Sequence, residues 1–216
     1  CLSLLAKKDY LMVAEKSPRK SKKPIKKVPD YLVYEILDGK AIYYKGYREV
    51  IAGKKSYEEV MGSSTLQAFI VAHLVMLLGR KLDENLYTIL TSEAGIHLDK
   101  RNNLAGDVLI FDETELPIQF LDEHYAAIPP KITIEVDINA EVENMTPQDY
   151  MYRKTEKLLD FGVEKVIWIT TSSKKVLIAT KGGDWVIKDW DKEVEILPGA
   201  AFNIGQYLKQ KGSKFA

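Results

Sequence analysis

The chain has 216 residues, 46% of them hydrophobic and 10% aromatic, enough for one sizeable core and too few for two. Cys1 is the only cysteine, which excludes an intrachain disulfide and suits a reducing cytoplasm with oxygen- or histidine-ligated metals; no apolar run approaches the roughly 20 residues of a bilayer span, so a soluble cytoplasmic protein is expected. Lys plus Arg and Asp plus Glu number 31 each, but residues 1–28 hold nine basic residues against Asp9 and Glu15, leaving 22 basic and 29 acidic residues in the body.

In chain order, Lys16 to Val28 combine two prolines with seven cationic side chains and no apolar periodicity. Residues 1–28 therefore read as a basic, flexible arm, either a solvated linker or a segment that neutralises phosphates. Cys1, standing where Met is usual, reads as a fragment boundary ahead of a processed lipoprotein end. Residues 31–36 and 41–44 are β-rich runs around Asp38-Gly39, a tight-turn signal, so a hairpin opens the domain. From Ser64, a plausible N-cap, apolar residues cover most of the circumference up to Gly79, as in a largely buried helix. Residues 87–90, 95–98, 107–111 and 132–138 read as four strands.

Thr146-Pro147 is a helix start and Gly162 a left-handed stop, which predicts a helix over 147–161. The apolar run 165–170 follows at once, and strand, helix, strand implies a right-handed parallel crossover. Strands at 175–180, 185–190 and 193–197 and a short helix from Asn203 complete a domain of residues 29–211, with 212–216 as a tail. The class is α/β (α+β): a central mixed sheet flanked by helices.

Four residues on three segments carry chemistry. In the run Ile132-Thr133-Ile134-Glu135-Val136-Asp137-Ile138, alternation puts Glu135 and Asp137 on one face about 7 Å apart, and such carboxylates in chain built for burial need partners. A hydrated divalent cation is one partner, and an ordinary half-exposed polar face is the plainer alternative. On the helix, Met151, Lys154, Leu158 and Phe161 form an inward stripe whose only charged member is Lys154. It must find a carboxylate, lose its charge or snorkel, and a methionine in its place should preserve stability. Asp107, after Gly106, stands at the mouth of a buried strand, where oxygen ligands from neighbouring strand ends can hold Mg²⁺.

These features resemble the Uma2-type endonucleases of the PD-(D/E)xK nuclease superfamily, in their Bacteroidetes-like version. The resemblance runs from Tyr31 to about Tyr207 through Tyr34-Glu35-Ile36-Leu37-Asp38-Gly39, Met61-Gly62-Ser63-Ser64 with Gln67, Gly106-Asp107, Pro129-Pro130 before Ile134-Glu135-Val136-Asp137, and residues 154–163 before Val166-Ile167-Trp168-Ile169. It implies a restriction-endonuclease-like fold and a Mg²⁺- or Mn²⁺-dependent endonuclease acting on DNA. Asp107 and Glu135 would be the metal ligands and Lys154 the relocated catalytic lysine. Asp137 would be an extra ligand or the counter-ion of Lys154, and Glu35 an outer ligand or a hairpin-surface glutamate. A homodimer would let two sites address two strands.

The sequence departs from the family in Gly106 for the usual Pro, Asp137 where the superfamily has Lys, and Leu66 for a histidine. The three histidines, His73, His97 and His124, show no ligand spacing, and His73 reads as a core histidine. The acidic body favours an alternative: a catalytically inactive nucleic-acid-binding or assembly protein that retains the fold, since a duplex-binding surface normally carries a positive stripe.

Overall fold

The computed structural model describes residues 28–141 and 145–216; the expected arm, apart from Val28, lies outside the described residues. Asp38 and Gly39 take left-handed conformations, φ 53° and 74°, and so close β1 (Val33–Leu37) and β2 (Lys40–Tyr44) into an antiparallel hairpin. Two short helices that no pattern announced follow, α1 (Tyr47–Ile51) and α2 (Glu58–Met61). Next comes α3 (Thr65–Lys81), whose N-cap Ser64 accepts from the Gln67 N–H at 3.2 Å. Its Ile70, Leu74 and Leu78 are fully buried, yet Phe69 and Met76 are 41% and 47% exposed. The expectation of a largely buried helix is thus corrected: one side packs on the sheet and the other lines a cleft.

The strands expected at 87–90 and 95–98 are one, β3 (Tyr87–Asp99), and the strand of Asp107 begins earlier, as β4 (Asn102–Asp112). A bulge at Ser92 and Glu93, with φ 66° and 57°, absorbs the break in apolar pattern without ending the ladder. The run expected to reach Ile138 stops as β5 (Ile132–Val136), because Asp137 turns to φ 61°. After β6 (Ala140–Glu141), α4 (Pro147–Phe161) opens on a Thr146/Asp149 capping box and stops at Gly162.

The strand β7 (Lys165–Thr170) then pairs parallel with β5, so α4 is the crossover connection. The chain continues through β8 (Lys175–Thr180) and β9 (Val186–Asp189). The strand β10 (Val194–Leu197) pairs with the unanticipated β11 (Ala200–Phe202) in a separate small sheet, and α5 (Ile204–Gln210) follows, capped by Asn203. Among the described residues no helix is long and apolar enough to cross a membrane.

The main sheet runs β6-β2-β1-β4-β5-β7-β8-β9, with β3 also paired to β4. On one face α3, α5 and the small sheet bury Val108, Ile110, Ile134, Val136 and Ile167. On the other, α4 covers Leu109, Phe111, Val166 and Trp168. One feature of the topology positions the site. β4 pairs with β3 throughout, but its opposite edge is shared: β1 takes Asn103 and β5 takes residues 108–110. Between them, residues 104–107 have no strand partner on that edge among the described residues, and the sheet forks.

Candidate active site

Backbone groups at a buried fork need partners, and here charged side chains supply them. The Ala105 N–H donates to Glu35 Oε1 at 2.8 Å, and its carbonyl accepts from Lys154 Nζ at 2.7 Å. Across the fork, the Val136 N–H donates to Asp107 Oδ2 at 2.7 Å. Glu35 comes from β1, Asp107 from β4, Glu135 from β5 and Lys154 from α4, so four elements converge.

The inward stripe of α4 carries Lys154 into this fork, where it is 1% exposed. Its ammonium lies 2.7 Å from Glu35 Oε1 and 3.0 Å from Glu135 Oε1. The second contact is an ion pair by distance whose angle falls short of a hydrogen bond, so Glu135 Oε1 is a buried acceptor left undersupplied. Glu35 is also held by the Tyr150 hydroxyl, which donates to Oε2, and it is 3% exposed. The hairpin-surface reading of Glu35 is therefore wrong. Trp168 fixes the surroundings: its Nε1–H donates to Thr155 Oγ1 at 2.8 Å, and its ring lies 5.6 Å from Lys154 Nζ, within cation–π range.

The cluster holds more negative than positive charge. Burial, opposed by Lys154 and reinforced by Asp107 and Glu35, pushes the Glu135 carboxyl up to about 8. Burial raises Asp107 too, against hydrogen bonds from Val136 and Gln67. Glu93, on the β3 bulge, is raised by burial and by the charges of Asp107 and Glu35. Burial alone would lower Lys154, but Glu135 and Glu35 outweigh it and hold the ammonium above its ordinary value. Surplus negative charge of this kind is relieved by a proton or by a bound cation.

Of the sequence-predicted residues, the structure brings Glu35, Glu135 and Lys154 into direct contact and Asp107 into electrostatic contact with Glu135. It does not bring Asp137 to them. Its left-handed backbone turns the carboxylate to Thr171, whose N–H and Oγ1 each donate to it at 2.7 Å. Residues that the pattern did not mark as functional are Tyr150, Thr133 (a buried Oγ1 without a partner), and Gln67 and Asn139. Gln67 lines the cleft with Asp107 and accepts from Asn139 Nδ2 at 2.9 Å. Tyr150 lies four residues before Lys154 on the same helix face, a spacing that marks it. His73 is half-buried and stacks on Tyr207, outside this cluster.

No group of three or more His, Cys, Asp or Glu side chains among the described residues is already arranged around a metal position. The donor chemistry nevertheless suits a hard cation. Glu135 Oε1 lacks a directed hydrogen bond, Asp107 faces a cleft that Glu93 also lines, and all three are carboxylates. Gly106, where the family usually has Pro, is explained by packing: a Cβ there would run into Leu109 and lie 3.3 Å from Thr133 Cγ2.

No family model matches the chain, and no curated protein matches it. Among solved structures it is similar to a protein of Anabaena variabilis ATCC 29413 described as "a putative nuclease belonging to DUF820". The two share 14% sequence identity over 81% of this chain and 89% of the other, with a TM-score of 0.56. At that identity the likeness establishes the fold, a restriction-endonuclease-like mixed sheet flanked by helices.

Proposed function

We propose that the protein is a metal-dependent nuclease that hydrolyses DNA phosphodiester bonds at the fork between β1, β4 and β5. The observation that carries the proposal is the buried array of Glu35, Lys154 and Glu135 beside the cleft carboxylate Asp107. Structural needs alone seldom place an ammonium and two carboxylates in an apolar interior, because desolvation offsets their attraction. The fold shared with a protein described as a nuclease supports the reading by analogy.

In this proposal Asp107 and Glu135 hold Mg²⁺ or Mn²⁺. The bound cation would activate water and stabilise charge building on the phosphate. Lys154 presents a fixed positive charge to the same region. Glu35 and Tyr150 are positioning residues rather than ligands, since both Glu35 oxygens are already engaged by Ala105, Lys154 and Tyr150. Asp137 stays with Thr171 and organises the turn after β5.

The test is Mg²⁺- or Mn²⁺-dependent nicking of plasmid and oligonucleotide DNA by the full chain. Asp107→Asn, Glu135→Gln and Lys154→Met should each lose at least about a hundredfold in rate, the scale of a lost charge-stabilising group. A wild-type protein that cleaves nothing, or variants that cleave normally, would overturn the proposal. The second reading, a catalytically inactive nucleic-acid-binding or assembly protein, draws on one observation: the described residues offer no ready-made three-ligand group. Calorimetry with Mn²⁺ separates the two, because only the nuclease reading requires binding that Asp107→Asn removes.

A further inference from the structure

Among the described residues, Gln67 lines two cavities, the first of which Asp107 also lines. The first, about 600 Å³, lies between the outward side of α3 and the Ser92–Glu93 bulge, with Asp107 in its wall. Its α3 side is apolar, and the small residues Ala68 and Ala72 leave a depression flanked by Met61, Val75 and Met76. The second, about 490 Å³, is lined among others by Lys45, Ser64, Asp137, Gln148, Thr171 and Ser172, with the Thr171 N–H and hydroxyl both donating to Asp137. Gln67, which accepts from Asn139 Nδ2, lies between the two cavities and lines both.

We infer that the occupant of this double groove is one unpaired strand of DNA, with a base against the α3 wall and a neighbouring phosphate in the Lys45 cavity. The inference rests on the nuclease reading, which places the reacting phosphate at Asp107. A duplex offers an enzyme its phosphates and sugars while its bases stay stacked. An apolar depression directly beside the reacting phosphate has nothing to receive from such a surface. An unpaired strand can turn a base into it and bury a face there.

The second cavity offers the next phosphate the Lys45 ammonium with the Ser64 and Ser172 hydroxyls and the Gln148 amide, while the Asp137 carboxylate in the same lining is held by Thr171. Charge points the same way. From residue 29 onward the chain holds 22 basic and 29 acidic residues, a poor match to the dense double row of duplex phosphates. One cation at one subsite is enough to seat a single strand that also gains contact through its base.

The experiment is fluorescence anisotropy with the full chain, in EDTA and at physiological salt. A labelled oligodeoxynucleotide is compared with the same oligodeoxynucleotide annealed to its complement. The strand should bind at least about tenfold more tightly than the duplex, and Ala72→Glu and Lys45→Glu should each weaken strand binding about tenfold, the scale of one lost base or phosphate contact. Both positions are exposed, so melting temperature should not change. Equal or tighter duplex binding, or strand binding that survives both substitutions, overturns the inference. Nicking is scored separately. Strand-selective binding without cleavage refutes the nuclease reading and leaves the groove assignment standing, whereas duplex cleavage without strand preference does the reverse.

Discussion

Replacing Lys154 by Met tests how the fork is held together. Methionine keeps the unbranched stem on the α4 stripe and deletes the charge. The structure reverses the expectation that such a change preserves stability, since Lys154 is the counter-charge of two carboxyls that are 0% and 4% exposed. Removing one partner of a buried ion pair costs roughly 3–5 kcal/mol, and the orphaned Ala105 carbonyl about 1–3 kcal/mol more. Glu135 can take up a proton, so the loss depends on pH.

Glu135 already sits near 8 against an ordinary value of 4.5, and deleting Lys154 removes a neighbour that pulls it down. A carboxyl whose folded pKa lies above its unfolded value contributes its stability in full below the unfolded pKa and loses it as pH rises through the folded one. Up to about pH 8 both proteins lose this contribution alike; above it the wild type levels off while the variant goes on losing it, so the deficit of Lys154→Met is small near about pH 5 and widens above about pH 8. Urea unfolding of both proteins near about pH 5 and well above about pH 8 measures it. An equal deficit at both, or wild-type stability at the higher pH, would refute the charge argument. Adding Glu35→Gln to Lys154→Met should recover part of the loss, because one of the two stranded carboxyls is gone.

Lys157→Met is the matched control: its partner Asp38 lies 2.8 Å away, but both side chains are about one-third exposed, so thermal melting should show under about 1 kcal/mol of change and nicking should persist. Loss of nicking equal to that of Lys154→Met would mean the catalytic lysine is assigned to the wrong residue. Thr133→Val removes a buried hydroxyl that has no partner and should raise stability by about 1 kcal/mol; a drop would reveal a bond to that oxygen. Mn²⁺ affinity, followed by calorimetry, should increase between about pH 6 and about pH 9, because Glu135 must shed its proton to bind a cation. A flat profile would remove Glu135 from the ligand set.

Much of the fold was legible because its signals are local. Thr146-Pro147 and Gly162 bracket α4 at the positions observed, the alternation of residues 132–136 marks β5, and the continuous apolar run after Gly162 marks β7 as a strand buried on both faces. The misreadings have physical causes. Two residues at positive φ carry β3 through its polar break, so one strand looked like two. The short Ala200–Phe202 strand forms only because β10 lies beside it.

The site was legible in part. Lys154 stood out as the one charge on an apolar stripe, and its contact with Glu135 follows from the crossover that places α4 over β5. Asp137 misled because strand alternation was continued through a residue that leaves the strand at φ 61°. Glu35 was legible on closer inspection. In β1 it shares a face, by period two, with Leu37, which is 2% exposed. A glutamate in register with a core leucine needs an internal cation, and Lys154 is the one that meets it.

The location of the cluster follows from the topology. A sheet that exchanges β1 for β5 along one edge of β4 leaves peptide groups without ladder partners, and burial makes those groups costly. Glu35 and Lys154 complete Ala105, and Asp107 completes Val136, so the side chains that close the fork are the ones that concentrate charge beside the cleft. The same residues thus serve the fold and the proposed chemistry. Their surplus of carboxylates is the feature a structural role does not explain, because Glu35 and Lys154 alone would satisfy Ala105. Glu135, buried at the centre with an oxygen that lacks a directed hydrogen bond and a carboxyl raised to about 8, reaches the fork only through its ion pair with Lys154. In the proposed chemistry a cation would take the place of its proton.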